Sequence, residues 1–353
     1  MDTRSSDVKR REFLKTGVLA GAGTLAAGGL AQVAQAQAEQ SGVRQAAGDV
    51  PAKAFGKTGW TMPILGMGGS AMVTRFIQAY GVKLLSMDER VAMVRHAYDS
   101  GIRYFDTARV YGESEQIMGR GLKDVRKDVY VATKVAVRDP AQTRRSVETS
   151  LEQLGMEYVD CAQVHSPSIE GLGFEGAMKI HAELLKLKDE GLVKFIGLTT
   201  HVAFETVHKM ISTGGFDQVL LAYGYFKKGM NTLLSNNNLE WRELCLAKAH
   251  ELDMGIVAMK VMGANVLGHN SQAVVTDYEK ASLGRLPAAA IRWVLQDDRV
   301  SMLNIGASKP SDIDQNLEML RGELAFTNED RMLLANYCEQ AYESDTFKDM
   351  EVV

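Results

Sequence analysis

Four side chains able to move or steer protons stand at intervals through the first half of the chain: Asp106, Tyr111, Lys134 and His165. Three of them close short apolar runs: residues 101–105 lead into Asp106, 129–133 into Lys134 and 158–164 into His165. Tyr111 follows Asp106 by five residues, on a turn that reaches Gly112. A carboxylate at a strand end, with a tyrosine on the next loop, suits proton chemistry. Each residue alone also has a plain structural explanation. Asp106 can cap a turn, Tyr111 can pack on a loop, Lys134 can be a solvated strand end and His165 a satisfied core histidine. All four on successive strand ends of one face point to a site.

The elements that must position them alternate in type. Strand-like runs cover 64–68, 103–106, 129–134, 158–165, 194–198, 218–221, 255–259 and 302–306. Helical patterns follow at 88–100, from 113 onward, 140–154, 174–190, 203–212, 239–251, 287–296 and 311–320. Eight short apolar strands suited to burial on both faces, each followed by a helix, predict an α/β chain folded as a (β/α)₈ TIM barrel. Such barrels place their sites where strands end and loops to the helices begin. An N-terminal β-hairpin is expected over 53–62, around Gly56-Lys57-Thr58-Gly59, and a C-terminal helix over 328–342 outside the barrel. A doubly wound open sheet is the competing architecture and asks for a glycine fingerprint directly after an early strand. Gly171, Gly173 and Gly176 match its spacing, but the segment from His165 to Glu170 separates them from their strand, which marks a loop coincidence.

The chain has 353 residues, 46% of them hydrophobic, enough for a sizeable core, and a net charge of −4 that gives no footprint for nucleic acid. Cys161, Cys245 and Cys338 are far apart, with no Cys/His cluster, so no zinc or iron–sulfur site is expected. Cys161 reads as a small buried hydrophobe. Lys9-Arg10-Arg11-Glu12-Phe13-Leu14-Lys15 resembles a twin-arginine export signal, followed by an Ala/Gly run over 17–30 and A-x-A cleavage sites over 34–38. The alternatives are a membrane anchor or a basic tail, but the run is too short and glycine-rich for a stable membrane span. The domain plan is therefore signal 1–38, linker 39–52, barrel 53–322 and helical extension 323–353. Export by the twin-arginine machinery, to the periplasm, carries a protein already folded.

Phe105-Asp106-Thr107-Ala108, with Tyr111-Gly112 behind it, resembles the signature of the aldo-keto reductases. The resemblance runs from about Ala54 to Leu320, and Asn316-Leu317 after Ile305-Gly306-Ala307 is similar to that family's C-terminal cofactor segment. It implies a nicotinamide cofactor, NADP(H) or NAD(H), and a small carbonyl or alcohol substrate. It also implies that Tyr111 is the general acid, with Lys134 shifting its pKa, Asp106 holding Lys134 and His165 orienting the substrate oxygen. An ammonium about 4 Å from the phenol favours phenolate by about 4 kcal/mol, or at most about three pK units.

Implied cofactor contacts are Gly68, Gly69, Thr199, Thr200, Met259, Lys260, Ser308, Lys309, Asp312, Gln315 and Asn316. Several depart from the family pattern. Thr199-Thr200 stand where many relatives have Ser-Asn, Leu220 where they have glutamine, and Met259 where a tyrosine stacks on the nicotinamide. Asp312 replaces a basic residue used for the 2′-phosphate, and a carboxylate there repels that phosphate, leaving NAD(H) open. Long loops over 70–87 (with Arg75, Phe76 and Tyr80), 223–238 and 261–284 suggest a semi-polar ligand. His201 and His269 acquire no role from sequence. Two other classes stay open: a cofactor-binding sensor with negligible turnover, and an epimerase or lyase with tightly held cofactor.

Overall fold

The computed structural model describes residues 50–73 and 83–353. The export signal, nearly all of the linker, and Arg75, Phe76 and Tyr80 lie outside the described residues. Eight parallel strands close into a barrel: β3 (Leu65–Gly68), β4 (Tyr104–Asp106), β5 (Tyr130–Val135), β6 (Val159–Val164), β7 (Val193–Thr200), β8 (Gln218–Ala222), β9 (Gly255–Met259) and β10 (Met302–Gly306). Each pairs with the next, and β10 returns to β3 through Leu303 and Leu65. This is the (β/α)₈ barrel, not the open sheet. Strands β5, β6 and β8 are buried along their whole length, as strands between a packed interior and a helical coat must be.

The helices of the coat are α1 (Met87–Asp99), α2 (Ser114–Leu122), α3 (Thr143–Leu154), α4 (Ser166–Asp189), α5 (Phe204–Ile211) and α6 (Asn236–Glu251). Short α7 (Ser271–Val274) and α8 (Lys280–Leu283) lie in the loop after β9, followed by α9 (Leu286–Leu295) and α10 (Pro310–Arg321). Their ends follow local chemistry: Ser86 and Glu89 form a reciprocal capping box on α1, and Gly155 closes α3 in the left-handed region. Helix α4 starts eight residues earlier than its sequence pattern, at Ser166, and breaks at Gly173 (φ 64°). Gly171, Gly173 and Gly176 therefore lie within a kinked helix rather than in a loop.

The hairpin of β1 (Ala52–Ala54) and β2 (Thr61–Pro63) seals the end of the barrel where strands begin. Ala52, assigned to the linker by sequence, already pairs with Pro63. Phe55 meets Tyr130 edge-on at 5.5 Å, and Tyr104 stacks on Tyr130 at 5.5 Å. Gln218 bridges both phenols, accepting from Tyr130 at 2.9 Å and donating to Tyr104 at 3.2 Å. An aromatic plug with its polar tips satisfied leaves the opposite end as the mouth.

A second apolar core sits outside the barrel. Helix α11 (Asn328–Glu343) packs on α9, with Asp330 both capping α11 and pairing with Arg292. Its Tyr342 stacks on Phe226 at 4.4 Å, and Tyr337 donates to the carbonyls of Val266 and Ser271, both at 2.9 Å. The tail then lies along the loop after β8. Leu233 donates to the Glu351 carbonyl at 2.8 Å, Val353 donates to Leu233 at 2.9 Å, and Ser235 donates to Val353 at 2.6 Å. Among the described residues, no helix is long and apolar enough to cross a membrane.

Candidate active site

The pairing of β4, β5 and β6 brings three of the four proton-active residues to the same end of the barrel. Lys134 lies opposite Gln163 in register, and Asp106 ends β4 beside Ala132. Lys134 is 2% exposed; its ammonium pairs with Asp106 Oδ2 and donates to the Thr107 carbonyl at 2.7 Å. The other Asp106 oxygen accepts from Gln163 Nε2 at 2.9 Å. The carboxylate is thus gripped from two strands and the lysine is aimed by it. Tyr111 is carried in by the turn before α2, and Lys134 Nζ lies 4.9 Å from its ring centre. His165, the residue between β6 and α4, meets the Tyr111 ring edge-on at 6.1 Å. Asp106, Tyr111, Lys134 and His165 form one cluster at the mouth.

Electrostatics inside the cluster differ from the simple expectation for Tyr111. Burial raises its pKa above that of a free tyrosine, and the opposing pull of Lys134 does not overcome this, because Asp106 sits close by and pushes upward. The sequence-based expectation of a lowered pKa is corrected: it counted the ammonium but neither desolvation nor the carboxylate. Burial alone would lower the pKa of Lys134, yet Asp106 and Tyr111 outweigh it and hold the ammonium above the ordinary lysine range. His165 goes the other way: burial, with Lys134 nearby, depresses it to about 3, so the ring is neutral and carries one N–H. Its Nδ1 is buried without a hydrogen-bond partner.

Two members of this shell were not singled out by sequence. Gln163 stands two residues before His165, hence on the same strand face, and a polar side chain at that spacing near the strand end was the available signal. His201 directly follows β7, is 6% exposed, and has a buried Nδ1 with no partner. Burial, with Lys260, His165 and Lys134 in electrostatic range, pushes its pKa well down. Its neighbours place it beside the cluster, which its position in the sequence did not reveal.

The residues expected around a cofactor divide into two groups. Gly68 and Gly69 lie at the end of β3 and just beyond it, where a side chain on Gly69 would run into Ser114 and one on Gly68 would press on Asn304. The Asn304 amide oxygen is buried and unpartnered beside that glycine, an acceptor open to a ligand donor. Met259 and Lys260 are half-buried at the end of β9. This end of the mouth fits the nicotinamide half of a dinucleotide. The threonines are partly committed: Thr199 accepts from the Ser166 amide at 3.0 Å, and Thr200 from the Ala203 amide at 2.8 Å. Thr200 is fully buried, its hydroxyl oxygen taken up by the turn that leads into α5, so it has no free face for a carboxamide. Leu220 belongs to the sealed interior, with Tyr104 and Tyr130.

At the start of α10 the arrangement is self-contained. Asp312 Oδ2 accepts from the Ser308 amide at 2.9 Å, the Ser308 hydroxyl at 2.8 Å and the Lys309 amide at 3.2 Å. Its other oxygen pairs with His269 at 3.2 Å, from the loop after β9. Burial alone would raise the Asp312 pKa, but its bonds to His269 and Ser308 bring it down to about 2, and it raises that of His269 in turn. Asn316 is nearly buried, while Lys309 and Gln315 are exposed on the same helix. The helix N-terminus therefore presents a carboxylate where a phosphate would bind.

Comparison with known proteins agrees with this geometry. The family model described as Aldo/keto reductase family matches residues 65–331. L-galactose dehydrogenase of Arabidopsis thaliana is 29% identical over 284 residues, covering 75% of this chain and 86% of that protein. D-threo-aldose 1-dehydrogenase of a Pseudomonas species is 28% identical over 313 residues, covering 74% and 90%. Among solved structures, a holo-form aldo-keto reductase from Bacillus halodurans superposes with a TM-score of 0.58 at 20% identity, covering 82% of this chain and 96% of its own. That likeness concerns the fold. Since the match takes in the barrel from β3 to the start of α11, the chain belongs to the aldo/keto reductase family and is an oxidoreductase.

Proposed function

We propose that this oxidoreductase works with a nicotinamide cofactor, preferentially NAD(H), and that Asp106, Tyr111, Lys134 and His165 are its proton-handling set. The observation that carries the reading is the buried Asp106–Lys134 pair beneath Tyr111, with a neutral His165 at the ring edge. When bound, the cofactor supplies or accepts the hydride at the carbonyl carbon. Tyr111, protonated at neutral pH because its pKa is raised, delivers a proton to the developing alkoxide. Lys134, held by Asp106, stabilises the phenolate left behind. His165 donates its N–H to the substrate oxygen and fixes the carbonyl plane, a task for which a neutral ring suffices. The NAD(H) preference is supported by Asp312, which sets a carboxylate amid the amides that a 2′-phosphate would need.

Fluorescence titration with NADH and NADPH, together with Tyr111→Phe, tests the reading. NADH should bind more tightly than NADPH. The variant should lose about 10²–10⁴ in kcat while its NADH affinity stays within about twofold. A variant that turns over at the wild-type rate would remove Tyr111 from the role.

The proposal extends to export of the folded chain, supported by Lys9 to Lys15 and the Ala/Gly run behind them. Cell fractionation of an Arg10→Lys/Arg11→Lys variant should find it in the cytoplasm. Unchanged distribution would count against export by this route.

A further inference from the structure

The side of the mouth opposite Asp106 carries positive charge that no carboxylate among the described residues pairs with. Strands β7, β8 and β9 are neighbours, and Lys260 and His201 each stand one residue beyond a strand end. Lys260 adopts φ 63°, a left-handed conformation rare for a side chain of its size, and its carbonyl opens the next turn by accepting from Gly263 at 2.8 Å. Lys228, from the loop after β8, lies near enough to repel it, with its own ammonium 4.9 Å above the Phe347 ring. Among the described residues neither lysine has a carboxylate partner. Half-buried like charges without a counterion are costly, and they persist where a ligand supplies the missing charge.

The location of this charge limits what the ligand is. The backbone at Gly229, next to Lys228, lies against the His201 carbonyl, and that at Gly224, after β8, lies against the Lys260 carbonyl. The two lysine-bearing loops and the His201 ring therefore meet at one part of the mouth, and among the described residues His201 Nδ1 has no partner. We propose that Lys260 and Lys228, with His201 between them and the cluster, form a subsite for the carboxylate or phosphate group of an acidic carbonyl substrate. The assignment to substrate rests on the oxidoreductase reading above, whereas oxyanion binding at the lysines does not. The same chemistry would also suit the diphosphate of the cofactor, and the two sources give different results.

The test uses the whole protein, its Lys260→Met and Lys260→Arg variants, inorganic phosphate, and the pair 4-oxobutanoate and butanal. Calorimetry should show saturable phosphate binding that weakens at least tenfold in Lys260→Met, recovers in Lys260→Arg, and persists with NADH already bound. The ratio of kcat/KM for 4-oxobutanoate over butanal should exceed about ten and fall about tenfold in Lys260→Met, through KM. No phosphate binding to the wild type would overturn the subsite. Binding that NADH displaces, with an unchanged substrate ratio, would assign the lysines to the cofactor and overturn the substrate assignment. Phosphate binding beside bound NADH with no turnover of either carbonyl would leave the subsite standing and sink the hydride-transfer reading instead.

Discussion

On the β4–β6 side of the mouth, polar side chains hold one another; on the β7–β9 side they do not. Asp106 is bonded by Lys134 and Gln163, and Lys134 also donates to Thr107, so the carboxylate and the ammonium are held without a ligand, while His165 Nδ1 and Gln163 Oε1 stay open. Across the barrel, His201 has an empty ring nitrogen and Lys260 has no acid to pair with. On the function proposed above, the first half serves proton transfer, a step that tolerates little movement. The second leaves polar atoms for another molecule to complete. Two of the departures from the family pattern, Thr200 and Met259, fall in this second half.

Removing one partner of the closed half should have the largest effect. Lys134→Met leaves Asp106 buried without its counterion and should cost about 3–5 kcal/mol in urea denaturation, with turnover lost. Adding Asp106→Leu to that variant should restore most of the stability and none of the turnover. If the double variant is no more stable than the single one, the pair is not what makes this half rigid.

Acid should act through the unpaired histidines. The folded-state pKa of His165 is about 3 against an ordinary 6.5, and that of His201 is also depressed. Below pH 6.5 the unfolded chain takes up protons that the folded one refuses. Stability is therefore complete above about pH 6.5 and falls as pH drops toward 3, by a few kcal/mol on the order expected for His165 alone. The loss between pH 7 and pH 4.5, measured by urea midpoints, should be smaller in His165→Gln. An equal loss in both proteins would mean that His165 is readily protonated.

The smallest effect belongs to α10. Asp312→Asn removes the charge but can keep a cap on the helix, at a cost of about 1 kcal/mol or less. It should also narrow the preference for NADH over NADPH by roughly tenfold, the scale of removing one partly screened charge contact. Titration of the variant with both cofactors measures it, and an unchanged ratio would dissociate Asp312 from 2′-phosphate selection.

Much of the barrel was legible because each strand is a short apolar run and each helix carries its own punctuation. The positions of Asp106, Lys134 and His165 were legible for a related reason: strand ends are positions that sequence marks, and Tyr111 lies on the turn after the first of them. What sequence could not mark were pairings across long separations. Asp312 reads as a charge facing a phosphate, yet its partners include His269 from a different loop, and nothing local announces that bond. Tyr111 shows the same limit in its pKa, whose direction depends on burial by the turn and on Asp106 as well as on Lys134. Gly173 is another case, since a glycine in a left-handed break looks the same in sequence as one in a loop.

The strap formed by Glu351 to Val353 ties the loop that carries Lys228 to residues far from it in sequence. Leu233 bridges Val352 on one side and Lys228 on the other, so the tail and a proposed ligand-binding lysine share one short stretch of backbone. Breaking the pairing of residues 351–353 with Leu233 and Ser235 would cut that tether without touching the barrel. Molecules altered in this way would melt at nearly the same temperature as intact ones while discriminating less well among substrates, a change that a thermal assay would pass over.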